Sequence, residues 1–94
     1  MGWNAESIPV RRLDIRVRSI RGSLLVVNHE HQMIELADVG ALLFRSADGK
    51  RTIGELAGLL VAEFGIDVES ALADTVEFMA DLAATAFIEQ YGEA

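Results

Sequence analysis

The spacing of apolar residues changes once along this chain, and that change fixes the order of its elements. Up to Leu36 the chain reads as short β-rich runs, the first and third alternating apolar with polar; from Asp38 onward apolar residues recur three and four apart. Strands should therefore come first and helices second, giving an α+β fold with a three-stranded antiparallel sheet followed by three helices.

In the first run Leu13, Ile15 and Val17 alternate with Arg12, Asp14, Arg16 and Arg18, the pattern of a strand with one buried and one solvated face. Gly22 and Ser23 interrupt it. Leu24 to Val27 reads as a second strand and Asn28 to His31 as a turn. Gln32 to Leu36 reads as a third strand, with Ile34 and Leu36 on one face and Met33 and Glu35 on the other. If strand order follows chain order, this third strand lies at an edge with its backbone groups open. It carries no Lys, Pro or other device that usually blunts an edge.

Asp38 is expected to cap a first helix ending near Ser46, before the Asp48-Gly49 stop. Thr52 and Glu55 form a capping box for a second helix, in which Ile53, Leu56, Ala57, Leu60, Val61 and Phe64 keep helical spacing up to Gly65. Asp67 caps a final helix reaching Thr85, and Phe87 to Glu89 reads as a short extended piece. The final helix is apolar over an unusually wide arc. Val68, Leu72, Val76, Met79 and Ala83 form one cluster, and Ala71, Thr75, Phe78 and Leu82 continue it to an edge bearing Asp74 and Asp81. One core contact needs a stripe only a little over ~100° wide, so part of this surface is expected to face something besides the core.

Composition narrows the function classes. A chain of 94 residues, 51% hydrophobic, fits one domain spanning the whole sequence, its core at about 10–90. The absence of cysteine excludes disulfides, thiol catalysis and cysteine-bound metals. Met1 to Val10 lacks a signal-peptide layout, and no apolar run approaches the ~18 residues of a membrane span. A cytoplasmic protein with no membrane partner is expected. His29 and His31 flank Glu30 in a turn without further ligands, no serine sits in G-x-S-x-G, and no glycine-rich phosphate loop is present. Neither catalysis nor a cofactor or metal site is expected.

The net charge of −7 is uneven: residues 1–51 carry +2 and residues 52–94 carry −9, with no Lys or Arg after Arg51. A sheet followed by three helices is similar to a winged helix, yet the last two helices have no cation to meet a phosphate backbone. Nucleic acid is therefore not an expected partner.

The run Met33-Ile34-Glu35-Leu36, followed by Asp48-Gly49-Lys50-Arg51-Thr52-Ile53-Gly54-Glu55-Leu56 and an acidic last helix, resembles PqqD-like proteins, also called RiPP recognition elements, over roughly Leu13 to Glu89. It departs from them at Ala37 and Val39, where many members carry Asn and Ser or Thr, and in the glycine-free turn Asn28 to His31. The resemblance implies a non-catalytic peptide chaperone that takes the leader of a ribosomally made precursor peptide. The chaperone would present that leader to a modifying enzyme, either a radical SAM maturase or a lasso-peptide protease or cyclase. It also implies a leader groove made of Gln32, Met33, Ile34, Glu35 and Leu36 on the strand, with Ala71, Asp74, Thr75, Phe78, Asp81 and Leu82 on the last helix. The alternatives are a winged-helix regulator and a self-associating interaction module; a monomer or weak dimer is expected.

Overall fold

The computed structural model describes residues 2–92. Its strands are β1 (Pro9–Arg11), β2 (Arg16–Ile20), β3 (Ser23–Val27), β4 (Met33–Leu36) and β5 (Ile88–Gln90), and its helices α1 (Asp38–Ser46), α2 (Ile53–Phe64) and α3 (Val68–Ala84). β2, β3 and β4 form an antiparallel sheet in chain order, and the three helices follow it. The α+β order read from the sequence is the observed one.

The helix termini follow from local chemistry. At α2 the Glu55 N–H donates to Thr52 Oγ1 (3.1 Å) and the Thr52 N–H to Glu55 Oε1 (2.9 Å), closing the capping box. Gly65 then ends the helix at φ +67°, in the left-handed region that glycine enters without penalty. Asp67 caps α3 by accepting from the Ser70 N–H at 3.2 Å. At α1 the expectation fails. Asp38 is already the first helical residue, at φ +49°, and the cap position belongs to Ala37, whose methyl has no acceptor to offer.

The N-terminal strand also differs from its sequence pattern. Leu13 is fully exposed and Val17 half exposed, and only Ile15 of that trio packs against the core. Arg12 clasps the Asp14 carboxylate with Nε and Nη2 at 2.9 and 2.7 Å across a turn at residues 12–15, so the run is extended only from Arg16 onward, as β2. That Arg12 hydrogen bond holds the Asp14 carboxyl below its ordinary range. The residues just before the run form a separate strand, β1, which pairs antiparallel with β5 and not with the main sheet, Pro9 opposite Gln90 and Arg11 opposite Ile88. The chain is thus closed by its two ends. The segment before β1 covers the start of α2, whose Ile53 and Gly54 N–H groups donate to the Ser7 and Ala5 carbonyls, both at 2.8 Å.

The core lies between the helices and the inner face of β3. Val26, Phe44, Leu56, Leu60, Met79 and Phe87 are all essentially inaccessible. The turn between β3 and β4 is fixed from inside by Asn28. Its buried side chain donates to the Thr85 carbonyl (2.5 Å) and to Gln32 Oε1 (2.8 Å), and it accepts from the Glu30 and Gln32 N–H groups. A buried amide with every group satisfied ties the hairpin to the end of α3.

Candidate functional site

β4 ends one side of the sheet, and its register decides what its open edge presents. The Asn28 N–H donates to the Gln32 carbonyl at 2.9 Å, and Val26 lies opposite Ile34 and Leu24 opposite Leu36. Hydrogen-bonded and non-bonded pairs alternate along an antiparallel ladder, so Ile34 and Leu36 spend their backbone groups on β3. The N–H and C=O of Met33 and Glu35 point outward. Side chains alternate at right angles to this: Ile34 and Leu36 are half buried toward the helices, while Met33 and Glu35 are exposed.

Gln32 stands outside this strand. Its N–H, carbonyl and side chain are all engaged by Asn28. It anchors the turn instead of extending the edge.

The helical wall of the site is the flank of α3 that meets Leu36. A Cβ placed on Gly40, in the first turn of α1, would lie 3.4 Å from Leu36 Cδ2 and 3.4 Å from Phe78 Cε1. Leu36, Gly40 and Phe78 therefore converge, and the missing side chain at Gly40 leaves a seam between strand and helix. Phe78 is half buried there, with part of its ring accessible. Asp74 and Asp81, one turn to either side of Phe78, are exposed on the same flank.

Three residues expected in the groove lie elsewhere. Ala71 and Thr75 are wholly buried and Leu82 is 7% exposed. These three, with Met79, form the stripe of α3 that faces the core, and the Thr75 hydroxyl donates to the Ala71 carbonyl at 2.7 Å. A helix packed against both α2 and β5 buries a wider arc than a single contact would. The accessible set is Met33, Ile34, Glu35, Leu36, Asp74, Phe78 and Asp81. Gly40 joins it, and its only sequence signal was a glycine inside a helix, which costs stability unless something must approach closely.

What this arrangement can do is accept an extended chain. An unpaired strand edge supplies backbone hydrogen bonds and an adjacent seam supplies places for alternate side chains, which defines a strand-accepting scaffold on a winged-helix-like frame.

Residues 23–88, more than half of the chain, match the family described as coenzyme PQQ synthesis protein D (PqqD). The chain belongs to that family. No curated protein matches it in sequence. Solved structures share its fold, among them the following three. A lasso peptide synthetase B1 complexed with its leader peptide superposes with a TM-score of 0.78 at 16% identity, covering 87% of this chain and 98% of the other. TbiB1 in complex with the TbiA(beta) leader peptide gives 0.79 at 17%, covering 90% and 98%. The PqqD truncation of Methylobacterium extorquens PqqCD, a stand-alone RiPP recognition element, gives 0.77 at 21%, covering 94% and 95%.

Proposed function

We propose that this protein captures the leader segment of a ribosomally synthesised precursor peptide by adding it as a strand to β4 and presents it, without catalysing a reaction itself, to a modifying enzyme. The observation that carries the reading is the outward-facing pair Met33 and Glu35 next to the seam of Leu36, Gly40 and Phe78. Two of the structural relatives are leader-peptide complexes and the third is a recognition element, which supports the same ligand class here. The enzyme that receives the leader is a radical SAM maturase or a lasso-peptide protease or cyclase. Capture on a soluble scaffold fits a cytoplasmic pathway, and among the described residues no helix is long and apolar enough to cross a membrane. A monomer or weak dimer suffices for it.

Amide hydrogen exchange tests the mode of binding. With a precursor leader peptide as ligand, the Met33 and Glu35 amides are expected to gain protection, whereas the Ile34 and Leu36 amides, already bonded to β3, gain little. Protection that appears only on a remote surface, with Met33 and Glu35 unchanged, rules out strand addition at β4.

Charge sets a second expectation. Asp74 and Asp81 flank Phe78 in a half of the chain devoid of Lys and Arg, so the leader should carry cations beside its apolar anchors. Rim charges act chiefly on encounter. Replacing both, Asp74→Asn with Asp81→Asn, should slow association about two- to fivefold at low salt and flatten its salt dependence, with dissociation little changed. Stopped-flow kinetics at two ionic strengths read this directly, and an unchanged rate and salt slope would mark the two carboxylates as a solvated face.

A further inference from the structure

The sheet has a second open edge, on the opposite side from the leader groove. Arg21 and Gly22 join β2 to β3 in a two-residue turn with φ values of +51° and +87°, the left-handed pair that matches the twist of a tight hairpin. Since Leu24 and Val26 direct their backbone groups to β4, Ser23, Leu25 and Val27 must direct theirs to β2. Their partners Ile20, Arg18 and Arg16 are thereby used. The N–H and C=O of Val17 and Ser19 face outward.

What surrounds this edge is cationic and apolar at once. On its inner side a cavity of about 310 Å³ is lined by Val17, Leu24 and Phe44 between Arg11 and Arg45. Arg11 is held in place there, donating through Nη1 to the Phe44 carbonyl at 3.1 Å and to the Arg45 carbonyl. On the outer side a second depression, about 260 Å³, runs over Leu25 and Val27 beside Arg16 and Arg18. Arginine ion pairs among the described residues involve only Arg12 and Arg51, so the arginines at this edge are engaged in none, although Asp14 lines a depression beside Arg16.

From these observations we infer that the β2 edge is a second strand-addition site, specific for an extended peptide segment in which acidic residues alternate with apolar ones. The alternation follows from the pleat. A strand added to Val17 and Ser19 turns every second side chain to the outer face, where Arg16 and Arg18 stand, and the others to the inner face, above Val17 and Phe44. Charge selects this occupant over a second copy paired through the same edge, because β2 laid against β2 would set arginines opposite arginines. It also selects it over nucleic acid, since the protein carries −7 overall and −9 in the half beyond Arg51.

The test uses the whole chain, isotopically labelled, with the peptide acetyl-Glu-Val-Glu-Val-Glu-Val-Glu-amide as probe and its Lys-for-Glu analogue as control. At about 1 mM acidic peptide, the Val17 and Ser19 amides and the side chains of Leu24 and Phe44 should shift while Met33 and Glu35 stay in place. Arg16→Glu with Arg18→Glu should weaken this binding about tenfold or more. Ser19→Pro should abolish it, since proline removes an outward N–H that the fold does not use and an edge strand tolerates it. Both variants should keep whatever affinity for a leader the β4 edge has, so this proposal and the β4 reading fail separately in the same spectra. The inference is overturned if Val17 and Ser19 do not respond or if the Lys peptide binds equally well. It is also overturned if the shifts centre on Met33 and Glu35, if they appear on raising protein concentration without peptide, or if a DNA duplex moves the same residues more strongly than the acidic peptide.

Discussion

Glu35→Pro should lower affinity for the leader about a hundredfold while leaving the folded protein intact. The two halves of this expectation have separate causes. Within the protein the Glu35 N–H points away from β3, so its removal breaks no ladder hydrogen bond, and an outward-facing position on an edge strand is where proline is accepted. Ile34, which would precede the proline, is already extended, as that position requires. For the incoming strand the consequences are severe. Strands pair at about 4.8 Å, and a ring carbon standing where the edge N–H was keeps the partner from that distance. Two or three ladder bonds are then lost, each worth about 0.5 to 1.5 kcal/mol net, which together approach the ~2.8 kcal/mol of a hundredfold change. Titration calorimetry with the leader, set beside a thermal melt, measures both halves. Glu35→Ala is the control, because it deletes the side chain and keeps the edge, and its affinity should stay within about threefold. Unchanged binding by the proline variant would exclude β4 as the docking edge. A collapsed melting temperature would mean that the Glu35 N–H is spent inside the sheet.

The parts of this fold that could be read in the sequence are those whose determinants lie within a few residues. Thr52, Glu55 and Gly65 specify both ends of α2 by contacts no more than four residues apart, and Asp67 specifies the N-terminal end of α3 in the same local way. The facing of Ile34 and Leu36 follows from the period of two alone. β1 was hidden for the opposite reason: its partner β5 lies some eighty residues away, while the alternation of Leu13, Ile15 and Val17 drew the turn that Arg12 and Asp14 make into the strand that follows it. A charged pair two residues apart was the local sign of that turn. The wide arc of α3 had a related ambiguity. Periodicity states which residues share a face, but not how many neighbours surround the helix, so Ala71, Thr75 and Leu82 looked as available as Phe78 until their burial was known. Asn28 gave no signal beyond that of a turn residue, because the partner through which it ties the hairpin to α3, Thr85, is 57 positions away.

That distinction between core and groove on α3 supports the second large effect. Phe78→Ala should weaken leader binding tenfold or more, since an aromatic anchor at the centre of an interface typically contributes about 2 kcal/mol or more, and tenfold corresponds to about 1.4 kcal/mol. Phe78 is the one aromatic side chain of α3, it is half buried against Gly40 and Leu36, and it leaves part of its ring for a guest. Because some of that ring also packs within the protein, its loss should lower the melting temperature slightly. Leu82→Ala provides the contrast: a leucine already 93% removed from solvent has little to give a ligand, and its truncation should cost the fold about 2 to 5 kcal/mol with the affinity of the folded fraction preserved. Phe78→Leu should recover most of the binding, as it refills the seam with an apolar side chain of similar reach. Affinities measured well below each variant's melting temperature separate the two roles. Should Phe78→Ala instead behave like Leu82→Ala, with a large loss of stability and undiminished affinity, Phe78 belongs to the core and the leader's side chains are received elsewhere along β4.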